Sequence, residues 1–261
     1  MVLENKVIVV AGVGEGLGRE VARLALRDGA RVVVAARNAE KLAKIAHELD
    51  PDGKRIAARS TDILDLASCE GLAEEAVQRF GGVDAVVNVA ALDTLFGTLE
   101  TTSDEDWKRA FETNVVGTLH VVRAAAPHMR KRGGGSVVLV GSRSQWFPPD
   151  NHQIAYASSK GALLSAMYHL VHELGPDRIR VNMVVPTWMW GPPVQLYVKW
   201  QAGQRKISEQ AVIDEITAGM PLASGIPADE DVAEAIVFFC SDRSRMITGE
   251  TLQVHAGELL R

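Results

Sequence analysis

The amino-acid sequence predicts a doubly wound α/β fold, a single domain over residues 1–261 built on a seven-stranded parallel sheet with helices on both faces. Three observations lead there. Short apolar runs rich in β-branched residues recur along the chain, separated by longer segments with apolar residues at helical spacing. Several of these runs are apolar throughout rather than alternating, as expected of strands buried on both faces. The first run ends in a glycine-rich turn that opens a helical pattern and leads to a second run, a βαβ unit within about thirty residues.

In chain order, residues 6–11 read as the first strand and Ala11 to Gly18 (AGVGEGLG) as the turn. Leu17, Val21, Leu24 and Ala25 then mark a helix that stops at Asp28-Gly29, and Arg31–Ala36 is the second strand. Ile56–Thr61 reads as a strand, Leu64–Phe80 as a helix stopped by Gly81-Gly82, and Ala85–Ala90 as a strand. A long helix is expected from Thr101/Ser103 to about Met129, with Ser103 and Asp106 forming a capping-box-like start, and Gly133-Gly134-Gly135 ends it. The next strand is Ser136–Gly141. Leu163, Leu164, Met167, Leu170, Val171 and Leu174 follow at helical spacing behind Tyr156. Arg180–Val185 is a strand, Pro186 to about Pro227 reads as irregular, Asp229–Cys240 as a helix and Leu252–His255 as the last strand. Pro192-Pro193 and Gly203 point to a substrate lid over residues 187–225.

Composition narrows the function classes. The chain is 47% hydrophobic and 23% charged, an ordinary globular composition. Its net charge of -5 supplies no basic field, so neither nucleic acid nor a membrane surface is an expected partner. The short Arg130-Lys131-Arg132 cluster reads as a solvated helix end. Cys69 and Cys240 have neither metal-type spacing nor the numbers for a disulfide framework, and no metal is expected. The apolar run at Val7–Val10 is too short and wrongly flanked for a signal peptide, and no stretch approaches the ~18 apolar residues of a membrane span, so a cytoplasmic location is expected.

Two features carry chemistry. Gly12, Gly16 and Gly18 stand where a helix amino terminus of a Rossmann-type fold receives a pyrophosphate: glycines permit the tight turn and let backbone N–H groups approach the phosphates. The second strand ends Ala35-Ala36-Arg37, without the acid that would hold the ribose 2′-hydroxyl of NAD. Arg37 can take the 2′-phosphate of NADP. Glu15 pulls the other way unless it swings out or pairs with Arg37, and NADP(H) is favoured over NAD(H). The second feature is Tyr156 and Lys160, one helical turn apart on one face. A free phenol has a pKa of about 10, and a nearby ammonium is expected to lower it toward neutrality.

With these residues in view the chain resembles the short-chain dehydrogenase/reductase family from Lys6 to Gly257. AGVGEGLG is similar to the family's TGxxxGxG, with Ala11 for threonine, and Asn88-Val89-Ala90-Ala91 keeps Asn88 and Ala90 of NNAG. Asn114, Ser142, Tyr156 and Lys160 match the catalytic tetrad. Asp229 to Ala233 and Ile247-Thr248-Gly249 match carboxy-terminal features.

The resemblance implies a nicotinamide dinucleotide held by Gly12, Gly16, Leu17, Gly18, Arg37, Asp62, Ile63, Asn88, Ala90, Tyr156, Lys160 and Pro186. Tyr156 would then be the general acid or base, Ser142 would hydrogen-bond the substrate oxygen, Lys160 would tune Tyr156 and hold the ribose, and Asn114 would keep a relay water. The sequence departs from the family pattern in places. The loop between Ser142 and Tyr156 carries one extra residue, which makes Ser144 an alternative serine. Thr187 stands for a glycine after Pro186, Gly191 for a threonine offered to the nicotinamide amide, and Val254-His255-Ala256-Gly257 for VDGG.

Trp146, Trp188, Trp190 and Trp200, with Phe147 and Tyr197, fall in the two segments that wall the substrate site in this family, so a bulky apolar or ring-containing substrate is expected, with Trp146 and Trp188 against it. The same aromatics could instead pack beneath the loop or at a subunit interface. Asp150, Asn151, His152 and Gln153 add polarity just before Tyr156. The expected reaction interconverts a secondary alcohol and a ketone. A 3-oxoacyl-thioester reductase is a variant within the class, and a non-catalytic dinucleotide-binding sensor or scaffold is an alternative outside it. The resemblance also implies a homodimer or homotetramer through the helices near 101–129 and 156–174.

Overall fold

The computed structural model describes residues 1–148, 152–222 and 225–259. Asp150 and Asn151, and residues 223 and 224 of the expected lid, lie outside the described residues. The elements in chain order are β1 (Val7–Ala11), α1 (Leu17–Arg27), β2 (Arg31–Ala36), α2 (Ala39–Leu49), β3 (Ile56–Ser60), α3 (Leu66–Phe80) and β4 (Ala85–Asn88). There follow α4 (Asp104–Phe111), a π-helical segment (Glu112–Gly117), α5 (Thr118–Arg132), β5 (Gly135–Val140), α6 (Ile154–Leu174) and β6 (Ile179–Pro186). The chain closes with α7 (Pro192–Arg205), α8 (Glu209–Thr217), α9 (Asp229–Cys240) and β7 (Thr251–Val254).

The seven strands form one sheet in the order β3-β2-β1-β4-β5-β6-β7, and all pairings are parallel. This is the doubly wound architecture expected. Strand pleating sends successive side chains to opposite faces, and each face finds a helical layer. In β1, Ile8 and Val10 pack with Leu24, Val232 and Ile236 of α1 and α9, whereas Val7, Val9 and Ala11 pack with Leu72, Val121 and Leu163 of α3, α5 and α6. The strand order reverses between β1 and β4, and the crevice at that switch point is where a doubly wound sheet places its ligand.

Two expectations are corrected. The helix expected without interruption from Thr101/Ser103 starts at Asp104, capped by the Ser103 hydroxyl, and opens into a π turn at Glu112–Gly117 before continuing to Arg132. Asn114 is the cause. Its side chain is hydrogen-bonded across to the Leu92 backbone and to Ser159, and its carbonyl accepts from the Thr118 hydroxyl (2.8 Å), which widens the turn. Gly117 has no Cβ because the Ile63 side chain would lie 2.8 Å from it.

The stretch from Pro186 to Pro227 is not irregular, since it holds α7 and α8. Pro192 and Pro193 occupy the first turn of α7, where proline's missing N–H costs no hydrogen bond. The two helices share a small core of their own, Val198, Ala202 and Val212, with Trp190 and Tyr197 packed against it. Arg130 and Arg132 of the basic cluster at the end of α5 are ion-paired with Asp177 and Asp84.

Candidate active site

The carboxyl ends of β1, β4, β5 and β6 face one crevice, and the expected site residues gather there. At the end of β1, Gly12 has a φ of +92°, and a Cβ there would lie 2.2 Å from the backbone N of Ala90. A Cβ on Gly18 would lie 2.4 Å from the carbonyl of Gly12, which seats α1 close against the turn. Around Gly14 nothing lies within 4 Å of a Cβ, so the turn opens on that side. Gly16 is the N-cap of α1 and offers no side-chain cap, leaving first-turn N–H groups free for an anion. Leu17 is buried in the core beneath.

Asn88, at the end of β4, donates to the Ala90 carbonyl and to Thr118 (2.8 Å), while its own carbonyl oxygen is buried without a partner. An unpaired buried acceptor beside an open glycine turn fits the hydroxyl-rich ribose of a dinucleotide. Ile63 is buried against the π turn, and Asp62 is exposed beside it, its carboxylate accepting from Leu64 N (3.0 Å). Arg37 is exposed immediately after β2. Among the described residues neither it nor Glu15 carries an ion pair, and the two are not paired with each other. Pro186 is buried at the end of β6.

Across the crevice, Ser142 follows β5 and caps a short 3₁₀ turn, Arg143–Gln145, in which the Gln145 side chain bonds back to Ser142 N. The Ser142 hydroxyl is hydrogen-bonded to Ser144 (2.8 Å) and faces the Tyr156 hydroxyl closely enough to favour its phenolate. Ser144 is buried, and of the two serines it is Ser142 that bears on the ionisation of the tyrosine. Tyr156, in the first turn of α6, is half-buried by surface area, yet its hydroxyl end is enclosed by protein. Lys160, one turn later, is buried, lies 5.7 Å from the Tyr156 ring centroid and donates to the Val140 carbonyl (2.7 Å).

The expected lowering of the phenol by Lys160 is not what this geometry yields. Burial pushes Tyr156 up to about 12, against the opposing pull of the facing Ser142 hydroxyl and with a further push from the charge of Asp93. Burial also brings Lys160 down to about 8, against the charge of Asp93. The ammonium is committed to a backbone carbonyl and is not among the groups that favour the phenolate. Asn114 does not touch Lys160. It braces Leu92 to Ser159, whose hydroxyl donates to the Tyr156 carbonyl (2.7 Å).

Sequence reasoning missed Thr118, which ties Asn88 to Asn114, and Ser159. The signal was available, because Thr118 lies one helical turn beyond Asn114 and Ser159 lies between Tyr156 and Lys160. It also missed Asp229. A Cβ on Gly191 would lie 2.5 Å from an Asp229 carboxylate oxygen, and one on Gly16 would lie 3.3 Å from it. A side chain at position 191 would therefore displace the Asp229 carboxylate.

Beside the tyrosine, a cleft of about 450 Å³ is lined by Gly97, Ser144, Trp146, His152, Gln153 and Ala157 among others. Trp146 lines this cleft, whereas Ser142 and Tyr156 are not among its lining residues. Trp188 is not among its lining residues, and its ring stacks at 5.2 Å on Tyr197, which in turn lies 6.4 Å from Trp200. The aromatic cluster of the second segment is thus in part internal packing.

Together these features define a doubly wound α/β protein with a phosphate-type glycine turn facing a hydroxyl–ammonium pair. The family profile described as short chain dehydrogenase matches residues 6–199, and the chain belongs to the short-chain dehydrogenase/reductase family. It is 34% identical over 259 residues to dehydrogenase/reductase SDR family member 4 of Sus scrofa, covering 99% of this chain and 89% of the porcine protein. It is 29% identical to the 2,3-dihydro-2,3-dihydroxybenzoate dehydrogenase of Bacillus subtilis, over 99% and 97% of the two chains. Among solved structures, a short-chain dehydrogenase/reductase of the glucose/ribitol dehydrogenase type from Brucella melitensis superimposes with a TM-score of 0.87 at 28% identity, over 100% and 99% of the chains. The family's members are oxidoreductases that work with NAD(H) or NADP(H). No helix among the described residues is long and apolar enough to cross a membrane.

Proposed function

We propose that this protein is an NADP(H)-dependent oxidoreductase that interconverts a secondary alcohol and a ketone on a bulky or ring-containing substrate. The observation that carries the reading is the Ser142–Tyr156 hydroxyl pair, held beside Lys160 and across the crevice from the glycine turn. A bound nicotinamide would supply or accept the hydride. Gly12, Gly16, Leu17, Gly18, Asp62, Ile63, Asn88, Ala90 and Pro186 would hold the dinucleotide.

Tyr156 donates its proton to the substrate oxygen in reduction, and Ser142 donates a hydrogen bond to the same oxygen as negative charge develops there. Lys160 carries positive charge toward that oxygen, and Asn114 keeps α6 seated through Ser159. The helix pair α7–α8 serves as the lid, moving as one body on its own core. The exposed side chains of Val116 and Tyr168, on the helices expected to pair subunits, support an oligomer through that face. Initial rates decide the substrate class: a decalone or steroid ketone should outpace small polyols, and the reverse order would remove the bulky-substrate assignment.

The NADP preference rests on Arg37, exposed and unpaired at the end of β2, next to the amino terminus of α2. Arg37→Asp should weaken NADPH binding about a hundredfold, ~2.8 kcal/mol, and reverse the preference toward NADH. Titration of tryptophan fluorescence with each dinucleotide measures this, and equal affinities in the native chain would refute the role of Arg37.

Asp229 opposes the pyrophosphate. Burial first, then the charge of Glu20, raises its pKa above the usual carboxylate range. The folded state thus holds this proton more tightly than the unfolded chain. Its contribution to stability is present at low pH and lost as pH rises through the raised value. Asp229→Asn should therefore raise the melting temperature at neutral pH and tighten NADPH binding about tenfold. In the native chain affinity should fall as pH rises through that range, and a flat profile shared by both proteins would contradict this.

A further inference from the structure

The carboxy-terminal segment reaches back into the reaction site. After β7 the chain turns sharply at Ala256 (φ +51°) and Gly257 (φ +85°), with the Gly257 N–H donating to the His255 ring (3.0 Å). The turn delivers Glu258 to the crevice. One of its carboxylate oxygens accepts from the Arg143 guanidinium, and the other accepts from the Thr187 hydroxyl. A single side chain therefore joins the turn that follows β5 to the loop that leaves β6. The Glu258 side chain is 10% exposed and that of Arg143 is 24% exposed, so the pair is far less screened than an ordinary surface ion pair.

Backbone contacts reinforce the arrangement. Thr187 N donates to the Val254 carbonyl (3.3 Å), and Leu222 N, beyond the α7–α8 pair, donates to the Ala256 carbonyl (3.0 Å). Arg143 directly follows Ser142, so a displacement of its guanidinium is transmitted to the hydroxyl that meets Tyr156. Thr187 directly follows Pro186 and opens the segment that leads to α7. The cluster also accounts for Thr187, which contributes a hydroxyl that glycine lacks.

We propose that Glu258 is a positioning residue: by gripping Arg143 and Thr187 at once, it sets the separation between the Ser142 turn and the loop after β6, the two edges of the reaction site. This rests on the reading in which Ser142 and Tyr156 act on the substrate oxygen. Glu258 touches neither of them and acts through Arg143. A carboxylate suits the task, because its two oxygens can accept from two separate donors.

The test combines kinetics with amide hydrogen exchange on the full chain. In Glu258→Ala the turnover number for a ketone with NADPH should fall about thirtyfold, because small misplacements of reacting groups are costly, while KM for NADPH stays within about twofold. Glu258→Gln, which keeps both acceptor and shape, should recover part of the rate. Amides at 143–147 and 187–190 should exchange about tenfold faster in Glu258→Ala, with those of Val7–Val10 unchanged as the control for an intact fold. Arg143→Gln should reproduce both effects should Glu258→Ala fail to fold. Unchanged exchange in both segments would overturn the proposal, as would faster exchange with native turnover. A native chain silent toward every ketone and alcohol would overturn the oxidoreductase reading, and the exchange measurement would then decide the clasp separately.

Discussion

Tyr156→Phe should lower the turnover number for ketone reduction about a thousandfold while leaving the fold and NADPH binding nearly intact. The substitution removes one hydroxyl, the group that Ser142 faces, and keeps the ring in the first turn of α6. General acid catalysis by a positioned group contributes roughly 10²- to 10⁴-fold, whereas losing one neutral hydrogen bond costs about 1 kcal/mol of stability. The electrostatics also predict an asymmetry between directions. With burial holding the phenol up at about 12, Tyr156 is protonated at neutral pH and ready to donate, so reduction should change little from mildly acidic to neutral pH. Alcohol oxidation needs the phenolate that burial disfavours, and its rate should climb steeply with pH. Lys160, brought down to about 8, loses its charge within the same alkaline range and sets the upper limit. Initial rates in both directions across pH measure these outcomes, and native turnover in Tyr156→Phe would remove the assignment of the proton donor.

Gly12→Ala should abolish measurable dinucleotide binding and lower the melting temperature by about 6–12 °C. Two costs act together. Gly12 has a φ of +92°, a region that disfavours a Cβ by roughly 1–3 kcal/mol. The new methyl would also lie 2.2 Å from the backbone N of Ala90, which follows β4 and cannot move without disturbing the sheet. A total near 3 kcal/mol at about 2–4 °C per kcal/mol gives the stated shift for a chain of this size. Binding suffers further because the turn would have to open at the point where α1 presents its uncapped N–H groups. Gly14→Ala is the contrasting variant: open space surrounds that position, so its stability should stay near native. Thermal unfolding and a fluorescence titration of both proteins separate the cases, and equal behaviour would show that the turn is looser than its geometry indicates.

The residues expected to carry the chemistry were legible because each sits on a local pattern. The glycines announce a turn between a strand and a helix, Tyr156 and Lys160 share a helix face, and Ser142 ends a strand. Spacing alone could not decide between Ser142 and Ser144, since both lie in the same short turn. In the folded chain their hydroxyls are hydrogen-bonded to each other, and it is Ser142 that bears on the Tyr156 phenol. The stretch from Pro186 to Pro227 read as irregular because proline marks a loop and opens a helix equally well, and the contacts that settle α7 come from α8. The π turn at Asn114 was hidden for a similar reason. It depends on Leu92 and Ser159, which no local pattern joins to it.

Tyr156, Lys160 and the glycine turn therefore belong to what the linear chain specifies, since backbone conformation and helical periodicity are short-range properties. Their ionisation does not. A phenol expected near neutrality stands at about 12, because enclosure by residues far apart in sequence penalises the phenolate more than the Ser142 hydroxyl relieves it. Asp229 against Gly16 and Gly191, and Glu258 between Arg143 and Thr187, likewise exist only once the sheet has brought the ends of its strands to one edge. Desolvation and long-range contact are properties of the folded volume, and they are where the chemistry of this site is tuned.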